Sequence, residues 1–217
     1  MTVKKTLTAL VVAAAAFAAG WGGYAWWTRQ GAGPRELSRE LEATVFPLDY
    51  ARIPPITLQT GSGPLSRADL AGRWTLLYLG FTHCPDVCPM TLSRLSAVMD
   101  ELKPRERRQL RILFVSVDPG RDSPARLRDY TDAFGPRVIG ATADKATLKD
   151  LTSRYFMTFS YGETDEDGNY DVRHNGSVLA FDRQGKARLK IAANSVGGTP
   201  SDSVDAIVAD LRALLSE

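Results

Sequence analysis

The sequence is poor in the residues that most often carry chemistry. Among 217 residues there are two cysteines, Cys84 and Cys88, and two histidines, His83 and His174. Two cysteines with three residues between them cannot staple a domain of this size, because closing so short a loop removes little chain entropy. The four spaced ligands of a closed structural zinc site are also missing. Charge of one sign is not in excess either. The formal net charge is +2, and Lys4, Lys5 and Arg29 account for three of the 27 basic residues, leaving 24 against 25 acidic ones. A nucleic-acid binder needs a basic face with several phosphate contacts, and this balance excludes one. Internal repeats and low-complexity tracts are absent.

What is present at the front is a long run without charge, from Thr6 to Thr28. Its centre, LTALVVAAAAFAAGWGGYAWW, spans roughly 30 Å as a helix, enough to cross a bilayer. Lys4 and Lys5 precede it, so the positive-inside rule keeps the N-terminus in the cytoplasm and sends the rest across. Trp21, Tyr24, Trp26 and Trp27 gather at the far end, as an interfacial belt does. The alternative is a cleaved signal peptide ending near Ala16-Phe17-Ala18, but the apolar run continues well past that site. We therefore expect a single-pass anchor over 1–29, a tether over 30–52 with a Gly/Pro opening, and one extracytoplasmic domain over 53–217.

Within that domain, strand and helix patterns alternate. IPPITLQT, from Ile53, reads as a short edge strand because of Pro54 and Pro55, and 65–70 as a turn or short helix. Residues 74–80 (WTLLYLG) and 112–117 (ILFVSV) are apolar runs of the kind buried on both faces, and 138–141 is a third short strand. Ser123-Pro124 and Asp144 each open a helix, to about Phe134 and Tyr155. The acidic stretch 163–170 (ETDEDGNY) does not match a calcium loop and reads as a solvated excursion. Residues 178–182 and 187–191 form a hairpin, and a helix over about 201–215 closes the domain. This order predicts an open α/β sheet, partly parallel, with helices on both faces.

The chemistry concentrates in residues 80–92, GFTHCPDVCPMTL. Cys84 and Cys88 each precede a proline, which disfavours α geometry, so both are expected on a loop with Pro89 opening the following helix. A thiol at a helix N-terminus feels its positive end, which favours the thiolate that binds metals and attacks disulfides. In open α/β sheets sites lie beyond the carboxyl ends of the strands, which brings this loop and the Asp118 loop to one edge. His83 adjoins Cys84 but should point to the opposite side of an extended segment. His174 follows 90 residues after Cys84.

GFTHCPDVCPMTL, followed by VSVDPGRDSP and a late histidine before a hairpin, resembles the Sco/SenC family of membrane-anchored copper proteins over roughly Pro55 to the C-terminus. The resemblance implies a thioredoxin-like fold with an added β-hairpin. It also implies that Cys84, Cys88 and His174 bind one copper ion, Cu(I) or Cu(II), for the binuclear copper centre of cytochrome c oxidase. Two soft thiolates and an imidazole suit Cu(I), and can hold Cu(II) with an added oxygen ligand. Partners would be the copper-binding oxidase subunit and other periplasmic copper or thiol-redox proteins. Asp86, Asp118, Arg121 and Asp122 would lie around the ligands or form a docking face, or only tie loops together. One departure stands out: family members tend to have Asp before the histidine and a small hydroxyl residue after it, where this chain has Arg173 and Asn175.

The competing reading uses Cys84 and Cys88 as a redox-active dithiol that reduces the oxidase cysteines, with His174 dispensable. The CxxxC spacing, longer than the CxxC of thioredoxin, favours metal binding. A peroxidase of the same fold is disfavoured, since Phe81 stands where peroxiredoxins place a threonine.

Overall fold

The strands β4 (Trp74–Gly80) and β5 (Leu110–Ser116) are buried at every position and pair in parallel from Trp74 opposite Leu110 to Gly80 opposite Ser116. Such runs need cover on both faces, because alternate side chains leave a strand on opposite sides. Leu76 and Tyr78 of β4 and Ile112 and Phe114 of β5 join one core cluster, whereas Leu77, Leu79, Leu113 and Val115 join a second. The structure, a computed structural model, describes residues 44–45, 51–192 and 203–216. The charge-free run 6–28 and most of the expected tether lie outside them. Among the described residues no helix is long and apolar enough to cross a membrane.

The remaining strands are β1 (Thr44–Val45), β2 (Thr57–Thr60), β3 (Gly63–Ser66), β6 (Val138–Thr142), β9 (Ser177–Phe181) and β10 (Ala187–Ala192). With β4 and β5 they form an eight-stranded sheet in the order β1-β10-β9-β4-β5-β6-β2-β3. Strands β4, β5 and β6 run parallel, and the predicted hairpin, β9 and β10, adds to β4 in antiparallel fashion. A separate two-stranded sheet pairs β7 (Phe159–Tyr161) with β8 (Val172–His174).

The helices are α1 (Arg67–Leu70), α2 (Val87–Glu101), α3 (Pro104–Arg107), α4 (Pro124–Asp132), α5 (Lys145–Ser153) and α6 (Val204–Leu215). Leu92, Leu95 and Val98 of α2 and Ile207, Leu211 and Leu214 of α6 cover one face of the sheet, and Leu148 and Leu151 of α5 cover the other. Each such leucine contributes about 1.5–3 kcal/mol by leaving water. The expected caps are made: Ser123 Oγ accepts from Arg126 N at 3.3 Å, and Asp144 Oδ1 accepts from Thr147 N at 2.9 Å.

Three expectations change. The strand after Pro54-Pro55 is not an edge: β2 lies between β6 and β3, because both prolines precede the paired residues and remove no ladder bond. The edge is β3, part of which the sequence assigns to a turn. Thr44–Val45 pairs with β10 and Arg52 bridges Lys186, so the sheet begins inside the stretch expected to be a tether.

Candidate metal centre

Strand β4 ends at Gly80, and the chain must turn there beneath the start of α2. A Cβ on Gly80 would come 2.4 Å from the Phe114 ring and 2.9 Å from Cys88 Sγ, so only glycine lets strand, ring and sulfur approach this closely. Cys84 follows in a short turn, its amide donating to Phe81 O at 3.3 Å. Contrary to the loop expected for both cysteines, Cys88 lies in the first turn of α2, whose first residue is Val87. Proline is tolerated at Pro89 because amides of the first helical turn have no intrahelical partner to lose.

This placement sets the thiol electrostatics. The Cys88 amide points at Cys84 Sγ, 3.4 Å away, so the helix terminus serves the sulfur of the other cysteine. The Cys84 thiol is held well below the ordinary thiol range, first by the hydrogen bond from the Cys88 side chain and then, against burial, by the neighbouring His174 and by the backbone amides of Cys88 and Asp86. Cys88 is pushed up by the same shared proton and by burial. In the metal-free pair the shared proton is therefore biased toward Cys88 and the negative charge toward Cys84. Both are free thiols, Cys84 8% exposed and Cys88 0%.

His174, the last residue of β8, reaches the pair from a different sheet. Its Nε2 is 3.7 Å from Cys88 Sγ, and its ring is met edge-on by Phe81 and Tyr78, at centroid distances of 5.9 and 6.3 Å. A sulfur and a nitrogen bound to one ion at about 2.3 and 2.0 Å stand about 3.5–3.7 Å apart, so this spacing fits shared coordination. The three donors are neighbours, although among the described residues no three His, Cys, Asp or Glu side chains stand as an assembled metal cluster. Among the described residues the buried Tyr78 hydroxyl makes no hydrogen bond of ordinary geometry, with Thr91 and Cys88 its nearest polar neighbours. An open cleft of about 640 Å³, lined by Phe81, Cys84, Val87, Arg121, Tyr170 and His174 among others, leads to the site.

His83 lines the same cleft but turns toward Asp122 and Arg126. It is exposed, with Nδ1 3.6 Å from Asp122 Oδ1 and Nε2 3.5 Å from an Arg126 nitrogen. Asp86 is exposed at the start of α2 and makes no side-chain cap bond. The Asp118–Asp122 turn, in contrast, ties the two arms of the site together. Fully buried Asp122 accepts from Thr82 N at 2.8 Å, Thr82 Oγ1 at 2.6 Å and Ser116 Oγ at 2.5 Å, which fixes the cysteine arm. Fully buried Asp118 accepts from Tyr170 OH and Arg121 Nε, each at 2.5 Å, and Arg121 also lies over the Tyr170 ring at 3.9 Å. Those contacts fix the histidine arm.

The sequence reading missed Tyr170, Tyr161 and the β7–β8 sheet. The stretch read as a solvated excursion is the tip of a hairpin, with Gly168 at φ +84° and Asp165 Oδ1 accepting from Asp167 N and Asn169 N. Its one local signal is the Asp167-Gly168 turn, since strands of three residues carry too short an alternation to read.

A family model described as SCO1/SenC matches residues 54–213. The chain belongs to the SCO1/SenC family. It is 34% identical over 151 residues to the human mitochondrial protein SCO1 homolog, covering 64% of this chain and 50% of that one. This SCO1/SenC chain spans about half the length of the curated relatives it matches. Among solved structures it resembles apo Sco1 from Thermus thermophilus, with TM-score 0.70 and 28% identity over 80% of this chain and 96% of that one. It also resembles Arabidopsis thaliana ScoI with copper bound, with TM-score 0.65 and 31% identity over 75% of this chain and 99% of that one. The expected thioredoxin-like α/β fold is thus the fold of the SCO1/SenC structures.

Proposed function

We propose that this chain binds one copper ion through Cys84 Sγ, Cys88 Sγ and His174 Nε2 and delivers it to the binuclear copper centre of cytochrome c oxidase. The observation that carries the reading is the convergence of donors 86 residues apart in sequence, with Nε2 at 3.7 Å from Sγ. Two thiolates and one imidazole match the preference of Cu(I) for soft ligands at low coordination number. Copper in the structures of relatives of the same fold supports the choice of metal. A cargo ion must also leave, and the open cleft lined by Cys84 and His174 allows a partner's ligands to approach. The charge-free run 6–28 would anchor the domain to the inner membrane, facing the periplasm.

Titrating the reduced full-length chain with Cu(I) against a chelator of known affinity tests this reading. One copper per chain is expected, with loss of tight binding in Cys84→Ala, Cys88→Ala and His174→Ala. Stoichiometric binding retained in all three variants overturns the ligand set.

A second reading is favoured by the bias of the pair, Cys84 toward thiolate and Cys88 toward thiol, with the Cys88 amide 3.4 Å from Cys84 Sγ. Cys84 would attack a partner disulfide to give a mixed disulfide and one free partner thiolate. Cys88 would then lose its proton, attack Cys84 Sγ and release the second partner thiol, so the partner gains the two electrons the pair loses. This route does not need His174 as a ligand. If His174→Ala supports oxidase assembly as well as the parent while both cysteine variants fail, thiol reduction replaces copper delivery.

A further inference from the structure

His174 can serve as a ligand through one nitrogen only if its ring is held in one orientation and one tautomer. His174 Nδ1 is 3.2 Å from the main-chain oxygen of Asn175. A carbonyl oxygen only accepts, so Nδ1 carries the hydrogen and, in the neutral ring, Nε2 carries the lone pair. Nε2 is the nitrogen that faces Cys88 Sγ. The position of the Asn175 carbonyl therefore decides which nitrogen is offered to the sulfurs.

Asn175 is tied to the turn that follows α5 by three further bonds. Its amide donates to Thr158 O at 3.2 Å. Its side-chain Oδ1 accepts from Thr158 N at 3.1 Å, and its Nδ2 donates to Phe156 O at 3.1 Å. The turn it grips is unusual: Phe156, 73% exposed, has φ +53°, a region where bulky residues persist only when their surroundings over-determine them. Phe156 N to Ser153 O and Met157 N to Thr152 O fasten the same turn to the end of α5. The Asn175 side chain joins this fixed turn to the residue that follows His174. An amide can do so because it donates and accepts at once; alanine does neither, and ionised aspartate only accepts.

We propose that Asn175 is the positioning residue of the histidine arm. Its side chain locks the segment after His174 onto the Phe156–Thr158 turn, and its carbonyl thereby holds the imidazole with Nε2 toward Cys84 and Cys88. The residue that departs from the small hydroxyl of the resembling family is thus a built part of this site. The inference rests on the reading of His174 as a copper ligand, and it adds a property visible without copper.

Asn175→Ala keeps the main-chain carbonyl and removes both side-chain bonds; Asn175→Asp keeps the bond from Thr158 N and removes the one to Phe156 O. In the metal-free full-length parent, long-range ¹H–¹⁵N spectra of the neutral His174 ring should show hydrogen on Nδ1 alone. Asn175→Ala should show a mixture of tautomers, with Asn175→Asp between the two. Cu(I) competition should give a 10- to 100-fold weaker affinity for Asn175→Ala, and no further loss when the change is added to His174→Ala. Lowered thermal stability with the parent's tautomer and copper affinity would make Asn175 a turn clamp only and overturn the proposal. If Asn175→Ala does not fold, Asn175→Asp decides by the same two readouts. A parent that binds no copper, yet shows the tautomer shift on substitution, removes the copper reading and leaves the positioning of His174 standing.

Discussion

The two arms of the site differ in how they are built. The cysteine arm is the junction of a fully buried strand with the helix covering it, and it is close-packed there: Cys88 is wholly buried, and its sulfur and the Phe114 ring fill the space a side chain on Gly80 would take. The histidine arm is a three-residue strand in a two-stranded sheet beside the main one, and it is held by Tyr170, Tyr161 and Asn175. Local opening free energies rise with the buried contacts an element owns. The cysteines are therefore a fixed platform and the histidine the part that can leave it, an order suited to holding a metal and then releasing it.

The strongest way to break this contrast is at Asp122, the buried carboxylate that holds the platform. Asp122→Ala leaves Thr82 N, Thr82 Oγ1 and Ser116 Oγ without their acceptor and should cost about 3–5 kcal/mol, the scale for stripping one member from a buried charged network. Chemical denaturation measures it, and the Cys84 alkylation rate should rise as the loop loosens. Next is Gly80→Ala, whose Cβ meets ring and sulfur inside contact distance. The neighbours must shift, at about 1–3 kcal/mol, and copper affinity should fall together with stability because Cys88 moves.

That contrast also explains what could be read in advance. The platform was legible because its signals are local: an apolar run over β4, two prolines, and the α2 periodicity fix its position from sequence alone. Even there, the helix includes Cys88, since a proline in the first turn does not set the boundary by itself. The histidine arm was not legible, because its form depends on contacts across the chain, Tyr170 with Asp118 over 52 residues and Asn175 with Phe156 over 19. No window around His174 contains those partners. The apolar strands, the parallel core and the terminal helix were all readable for the same local reason, whereas the short strands β1, β3, β7 and β8 were not.

A smaller effect sharpens the contrast from the other side. Tyr170→Phe removes one hydrogen bond to Asp118 and keeps the ring beneath Arg121. The loss should be about 1 kcal/mol, confined to the histidine arm. Hydrogen exchange should speed up across β7 and β8 while β4 and α2 stay protected, and copper should leave faster with the Cys84 alkylation rate unchanged. Equal loosening of both arms would show that the Asp118–Asp122 turn moves them as one body.

The mildest perturbation is pH. An ordinary thiol, with pKa near 8.5, loses most of its thiolate by neutrality. The Cys84 thiol is lowered in the fold, chiefly by Cys88 and then by His174, so the metal-free protein should keep reacting with iodoacetamide through neutral and mildly acidic pH. The linked stability has a definite sign. A lowered folded pKa stabilises the fold fully above the unfolded thiol's pKa, and that contribution is lost progressively as pH falls toward the folded value. His174→Ala removes one of several neighbours that lower the Cys84 pKa, so the midpoint of the alkylation–pH profile should move upward without reaching that of an ordinary thiol. A midpoint unmoved by His174→Ala would mean that the histidine does not touch the thiolate in solution. The arm would then stand apart from the platform until a metal draws it in.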